Sequence, residues 1–290
     1  MKKVLFAALL CGAAFGQSVP TSFEAAEIRV SAPSSNTNIR GGVVRGGRYQ
    51  VGNATMVQLI SMAYDMEPNK ILGGPNWLDW ERFDIAAKVT AGAPRENVGA
   101  MLQNLLADRF KLVVRKDTRA MPAFALSVGR DKPKMKATSG DAKQGCQGFT
   151  EDAAPEVVPK QVLSCRAVTM TVFADMLRGY SGGTYLPDPV VDQTGLTGEW
   201  DVELKWTPRN RLAQAGPDGI TLFDAIDEQL GLKLGAQKVA LPVLVVDSVN
   251  QTPTPNDPAA VKLLPPPPPA EFEVATIKPT APDVQDRGAS

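Results

Sequence analysis

Apolar residues along this chain recur with two periods, and the change from one period to the other marks out the elements. Phe23–Val30 alternates loosely and reads as a strand. Ser31–Gly47 is rich in Ser, Asn and Gly and reads as a loop or wide hairpin turn, followed by a short strand at Arg48–Val51. The period then lengthens. Thr55 is placed to cap a helix in which Met56, Leu59, Ile60, Ala63 and Tyr64 line one face. Gly73-Gly74-Pro75 breaks the chain, and Phe83–Val89 reads as a strand. Asn97 opens a second helix with Val98, Met101, Leu102 and Leu105 inward. Phe110, Leu112 and Val114 alternate with Lys111 and Arg115, as in a half-buried strand, and Ala123–Val128 reads as another strand after a turn at Met121-Pro122.

Arg130–Gln161 loses this periodicity and reads as an irregular excursion; the pattern then restarts. Thr169-Met170 opens a helix with Phe173, Ala174 and Leu177 on one face, as Thr55-Met56 does with Leu59, Ile60 and Ala63. Trp200-Asp201 opens a strand, as Phe83-Asp84 does. Thr221 caps a helix with Leu222, Ala225, Ile226 and Leu230 inward, and Leu232-Lys233-Leu234 and Pro242–Val249 follow as Phe110-Lys111-Leu112 and Pro122–Val128 do. The expected fold is α+β: two similar helix–strand–helix–strand–strand halves, about 22–129 and 166–250, joined by the excursion 130–165 into one domain with one core and an added N-terminal strand.

A second repeat is more literal. Phe23, Glu24, Ala26, Ile28, Ala32 and Pro33 recur without gaps as Phe272, Glu273, Ala275, Ile277, Ala281 and Pro282. Residues 251–270, ending in the run Pro265–Pro269, read as an extended Pro-rich linker, and 271–290 as the start of a truncated second copy. A lone strand cannot offset its ordering entropy, so Phe272–Ile277 is expected to be mobile or to borrow a sheet edge, a route to self-association.

Lys2 and Lys3, the apolar run Val4–Phe15 and Ala14-Phe15-Gly16 before Gln17 form the three parts of a secretory signal, so 1–16 are expected to be removed and the protein exported, periplasmic or extracellular. A lipoprotein reading through Cys11 is weaker, because Leu10 precedes it where a small residue belongs. The remaining pair, Cys146 and Cys165, is most simply one disulfide in such a compartment; two unpaired buried thiols are the alternative. No further segment reads as transmembrane. Lys+Arg and Asp+Glu both number 31, so no net positive field favours nucleic acid. The chain has 0 histidines, which removes Ser-His-Asp and Cys-His catalysis and His-ligated metals.

Few residues remain as candidates for chemistry. Gly179-Tyr180-Ser181-Gly182-Gly183 matches a nucleophile elbow, but it follows a helix and no histidine exists, so Ser181 reads as part of a turn. Asp79, Glu81 and Asp84 form an acidic cluster that could hold a hard cation or share a proton. Asp84 has its counterpart in Asp201, which argues for an architectural task at a strand start. Arg40, Arg45 and Arg48 stand among glycines whose amides could cradle an anion. Arg109, Lys111, Arg115, Lys116 and Arg119 read as a solvated strand face, or as a contact surface for an anionic envelope polymer. No catalytic residue and no cofactor is implied.

Gly73–Leu78, Arg82–Ile85, Leu105–Leu112, Pro189–Asp192 with Thr194-Gly195-Leu196, Trp206-Thr207-Pro208 and Glu228–Leu234 together resemble an uncharacterised exported family that is expanded as paralogues in soil Acidobacteria. The resemblance covers about 22–250 and implies export, a domain of unknown function and no established catalytic residue. Many members have a histidine next to the position of Arg115, which this chain lacks. At the level of pattern, Thr221–Val249 is similar to the small N-terminal domain of secretins and TonB-dependent receptors, a docking module. The expectation is an exported, non-enzymatic binding or docking protein of the cell envelope with an unknown protein or polymer partner; the alternative is a carboxylate-dependent hydrolase of envelope polymers.

Overall fold

A computed structural model describes residues 21–266 apart from 91–92, 131, 140–142 and 155. The secretory signal expected at 1–16 and the truncated second copy expected at 271–290 lie outside the described residues. In chain order the strands are β1 (Ala25–Val30), β2 (Arg40–Arg45), β3 (Arg48–Thr55), β4 (Ile71–Gly73), β5 (Arg82–Lys88), β6 (Val113–Val128), β7 (Lys136–Ala137), β8 (Gly145–Thr150), β9 (Gln161–Val168), β10 (Val190–Asp192), β11 (Trp200–Trp206) and β12 (Leu232–Ser248). The helices are α1 (Met56–Tyr64), α2 (Val98–Phe110), α3 (Met170–Tyr180), α4 (Leu212–Ala215), α5 (Leu222–Leu230) and α6 (Pro258–Val261). The fold is thus α+β, and no described helix is long and apolar enough to cross a membrane.

The chain divides into two compact units. The first takes the chain up to Asp117 and again from Val243; the second is Thr118–Pro242. The division falls inside β6 and β12, not at 130–165.

In the first unit an antiparallel sheet runs β1-β5-β3-β2. Period-two alternation turns Phe83, Ile85 and Ala87 of β5 inward, where they meet Met56, Leu59 and Ile60 of α1 and Leu102, Leu106 and Phe110 of α2. Thr55 caps α1 with a reciprocal capping box: its side chain accepts from the Gln58 amide and its amide donates to the Gln58 side chain. β4 lies parallel to the end of β12, Ile71 opposite Leu244.

The second unit has its own antiparallel sheet, β7-β11-β9-β8. Its core joins Leu163, Val202 and Leu204 to Phe173 and Leu177 of α3 and Ala225 and Ile226 of α5. Thr169 and Thr221 cap α3 and α5 through their hydroxyls. β10 lies parallel to the end of β6, Val190 opposite Phe124.

Several expectations are corrected. The buried side chains form two clusters, one in each unit, rather than one core, because each unit has a sheet and two amphipathic helices of its own to close against. The excursion 130–165 is not irregular: it supplies β7, β8 and the start of β9. The signal was weak because β8 is exposed at every residue but Cys146, and its inward face carries glycine at Gly148, so no apolar alternation shows. Met121-Pro122 makes no turn, and β6 runs straight through it. The φ that proline imposes, about −65°, lies at the margin of the extended region, so proline removes a donor without bending the strand. Phe110 ends α2 rather than opening a strand. The described part of the linker is not a free spacer. Thr254 donates its amide to the Arg109 carbonyl at 2.8 Å, Asn256 bonds β1, and the Pro265 carbonyl accepts from Arg48.

Candidate functional site

One concave feature of the first unit is the solvent side of its sheet. The alternation that buries Ile28, Tyr49, Val51 and Ile85 sends Glu27, Arg29, Arg48, Gln50 and Asp84 the other way. With Arg40 and Arg45 of the edge strand β2 they line a groove of about 660 Å³. Four guanidinium groups thus face two carboxylates. Arg29 pairs with Glu27, and Arg48 donates to Gln50 at 3.2 Å and to the Pro265 carbonyl. Among the described residues the side chains of Arg40 and Arg45 have no hydrogen-bond or ion-pair partner.

Two glycines shape this face. Gly41 has φ +80°, and a Cβ there would lie 2.3 Å from the Gln50 carbonyl oxygen, so the bulge between Gly41 and Val43 depends on it. Gly52 leaves room for Arg40. A Cβ there would sit 3.7 Å from both Nε and Nη2 of that guanidinium and 3.2 Å from Asp84 Oδ1.

Asp84 is bound into the frame. Its Oδ1 accepts from the Asn53 amide at 2.8 Å and from the Ser31 hydroxyl at 2.7 Å. Asn53 has φ +58° and sits where the β3–β5 register shifts, between Val51 and Ala54. Its side-chain amide donates to the carbonyls of Asn36 and Asn38, and the Arg82 guanidinium donates to the Asn53 carbonyl. The carboxylate therefore holds a β-bulge, a strained left-handed residue and the end of β1 together. In the second unit Asp201 Oδ1 accepts from the Ala167 amide at 3.0 Å and the Thr138 hydroxyl at 2.8 Å, and Ala167 has φ +51°. The Ala167 amide, then the Thr138 hydroxyl, with Arg166 and Lys136 nearby, hold the Asp201 carboxyl below the usual carboxylate range.

The acidic cluster is thereby taken apart. Asp84 is a bulge clamp, Glu81 accepts from the Gln251 side chain, and Asp79 is exposed. No three acidic or cysteine side chains among the described residues converge on a cation position. The basic stretch around β6 is also largely committed. Arg109 is only 8 % exposed; it donates through Nε to the Thr254 hydroxyl at 2.9 Å and through Nη2 to Asn256 at 2.8 Å. Burial lowers its pKa, against the opposing pull of Asp108. Lys111 lies 3.6 Å from Asp108, and Arg115 bonds Asp117 and Asp247 at 2.9 and 3.1 Å. Ser181 follows α3, 7 % exposed, its hydroxyl donating to the Arg178 carbonyl. Cys146 and Cys165 are bonded, directly opposite each other on β8 and β9 with Cα atoms 4.0 Å apart.

Of the sequence candidates, Arg40, Arg45 and Arg48 are brought to one face. The sequence reading missed Arg29, although its period-two spacing from Glu27 marks it as outward. It also missed Asn256, which no local pattern signals. A family model described as a protein of unknown function, DUF3738, matches residues 57–249. No curated protein and no solved structure matches the chain. With a match running from α1 to the end of β12 and through both units, the chain belongs to the DUF3738 family.

Proposed function

We propose that this protein is an exported, non-enzymatic binding protein of the cell envelope that takes an anionic polymer on the outer face of its first sheet. One observation carries the reading: Arg29, Arg40, Arg45 and Arg48 gather on one open groove that holds only two carboxylates, Glu27 and Asp84, and Glu27 is already paired with Arg29. Unpaired guanidinium groups over a sheet bind carboxylate or phosphate groups in a planar, bidentate manner. The groove lies open along residues of β1, β2, β3 and β5, which suits repeated weak contacts to a chain better than enclosure of a small molecule. The Cys146–Cys165 bond supports an oxidising compartment. The likeness to an exported Acidobacterial family, and that of Thr221–Val249 to envelope docking domains, supports the same placement. We also read the two units as descendants of one duplicated unit, on the strength of their equal strand orders and matching Asp84 and Asp201 clamps.

The test is titration of the mature protein with polygalacturonate, with dextran as the uncharged control. Saturable binding of the polyanion is expected, weakened about tenfold in Arg40→Ala/Arg45→Ala, which is about 1.4 kcal/mol, and weakened further as salt screens the face. Equal binding of both polymers, or no effect of the substitutions, would defeat the reading.

A further inference from the structure

The literal repeat of the first strand acquires a physical meaning once the place of β1 is known. β1 lies antiparallel to β5 with Ala25 opposite Lys88, Ile28 opposite Ile85 and Val30 opposite Phe83. Phe23 stacks on Tyr49 with centroids 5.6 Å apart, Glu24 pairs with Lys88 at 2.6 Å, and Ile28 is 3 % exposed. In the repeat these places are filled by Phe272, Glu273 and Ile277.

The differences also fit. Ser31 and Arg82 are opposite in this register, and the Ser31 amide donates to the Arg82 carbonyl at 2.9 Å. Hydrogen-bonded pairs alternate in an antiparallel ladder, so Ala25, Glu27 and Arg29 also turn their amides to β5, while Ile28 and Val30 turn theirs outward. The outward amide of Ile28 does donate to Asn256, at 2.9 Å. Pro279 takes the place of Val30 and so loses no ladder bond. Thr280 takes the place of Ser31, keeping the hydroxyl that Asp84 accepts; in the second unit the corresponding donor to Asp201 is itself a threonine, Thr138.

Simple addition to a free edge is disfavoured. On the outer edge of β1, Asn256 already engages both the amide and the carbonyl of Ile28. The other edge, β2, carries a bulge and arginines at both ends. Replacement is open, and the chain is delivered to the right end of the sheet. Pro265 is held by Arg48, which is opposite Lys88, and Lys88 is opposite Ala25, where β1 begins. Residues 266–271 can span about 20 Å when extended, and an intramolecular strand acts at a high effective concentration.

We propose that Phe272–Thr280 is a second first strand for the slot on β5 in its own chain, competing with Phe23–Ser31 and releasing it on exchange. The test uses the full chain and its variants Ile28→Asp, Ile277→Asp and the double substitution, followed by thermal unfolding, sedimentation and hydrogen exchange. Ile277→Asp alone leaves the melting temperature unchanged. Ile28→Asp lowers it by only about 3 °C, because the spare strand takes over, and the double variant falls by about 10 °C or more. In Ile28→Asp, amide protection moves from the 24–29 peptide to the 273–278 peptide while the protein stays monomeric. Equal losses in the single Ile28 and double variants, with no protection at 273–278, would overturn the proposal. Protection that appears only with concentration-dependent association would overturn it too, by assigning the strand to a second copy.

Discussion

The two units solve the same local problem with different residues. Each has an outward aspartate, Asp84 or Asp201, that grips the amide of a left-handed residue, Asn53 or Ala167, two positions before a capping threonine. Placing Asn53 against Ala167 puts Gly52 against Arg166 and Val51 against Cys165. Gly41 is opposite Val51 in the first unit, and Cys146 is opposite Cys165 in the second. So where the second unit ties its edge hairpin with a covalent bond, the first uses a glycine bulge. Where the second carries an arginine from β9 itself, the first leaves a bare glycine and lays Arg40 of β2 across it. The aspartate clamp belongs to the frame, and the positions around it are free to become either a staple or a groove.

Breaking the staple should have the largest effect. Cys146→Ser/Cys165→Ser is expected to cost roughly 3 kcal/mol on the chain-entropy estimate for such a loop. Denaturant melts should show it, with hydrogen-exchange protection lost in α3 and β9 and retained in α1 and β3. Removing the clamp of the first unit comes next. Asp84→Ala leaves the Asn53 amide and Ser31 hydroxyl without their acceptor and should cost about 1–3 kcal/mol, with protection lost first in β3 and at the end of β1.

The units should also fail at opposite ends of the pH scale. The Asp201 carboxyl is held below its unfolded value, so its contribution is present above about pH 4 and lost as pH falls through the folded value. Burial pushes the Tyr49 phenol up to about 12, so the stability tied to keeping it neutral is complete below about pH 10 and lost on rising toward 12. Segment-resolved hydrogen exchange at both extremes should show β9–β11 opening first in acid and β3–β5 first in alkali; Asp201→Asn should abolish the acid difference.

The smallest change is the most specific. Gly52→Arg gives the first unit the residue of the second, crowds Asp84 and displaces Arg40. The new guanidinium stands in for the displaced Arg40, so polyanion affinity should change by less than about threefold, or about 0.7 kcal/mol, while crowding of the Asp84 clamp lowers stability by up to about 1 kcal/mol. Titration beside a thermal melt separates the two.

Local patterns carried much of this fold. Thr55, Thr169 and Thr221 cap their helices because a threonine before an apolar stripe satisfies orphan amides using only its own neighbours. The pairing of Phe83-Asp84 with Trp200-Asp201 was legible for a similar reason, since each is a short pattern at the head of a strand. β8 was not, because an edge strand exposed at all but Cys146 has no apolar periodicity to read. For the candidate site, Arg40, Arg45 and Arg48 stood out as a run, but Arg29 joined them only when β1 paired with β5.

The sequence by itself determined α1, α2, α3 and α5, the alternating strands β1, β5 and β11, the clamp aspartates as a recurring pair and the literal recurrence of residues 23–33 at 272–282, all of which depend on spacing within a few residues. Tertiary structure alone decided that the buried residues close into two cores, that Arg109 and Asn256 hold 250–256 against the first unit, and that the acidic cluster disperses while four arginines converge. Those outcomes depend on strand order and on pairings between residues far apart in the chain, such as Asn256 with Ile28, and local spacing carries no information about which distant backbone will be there to meet a side chain.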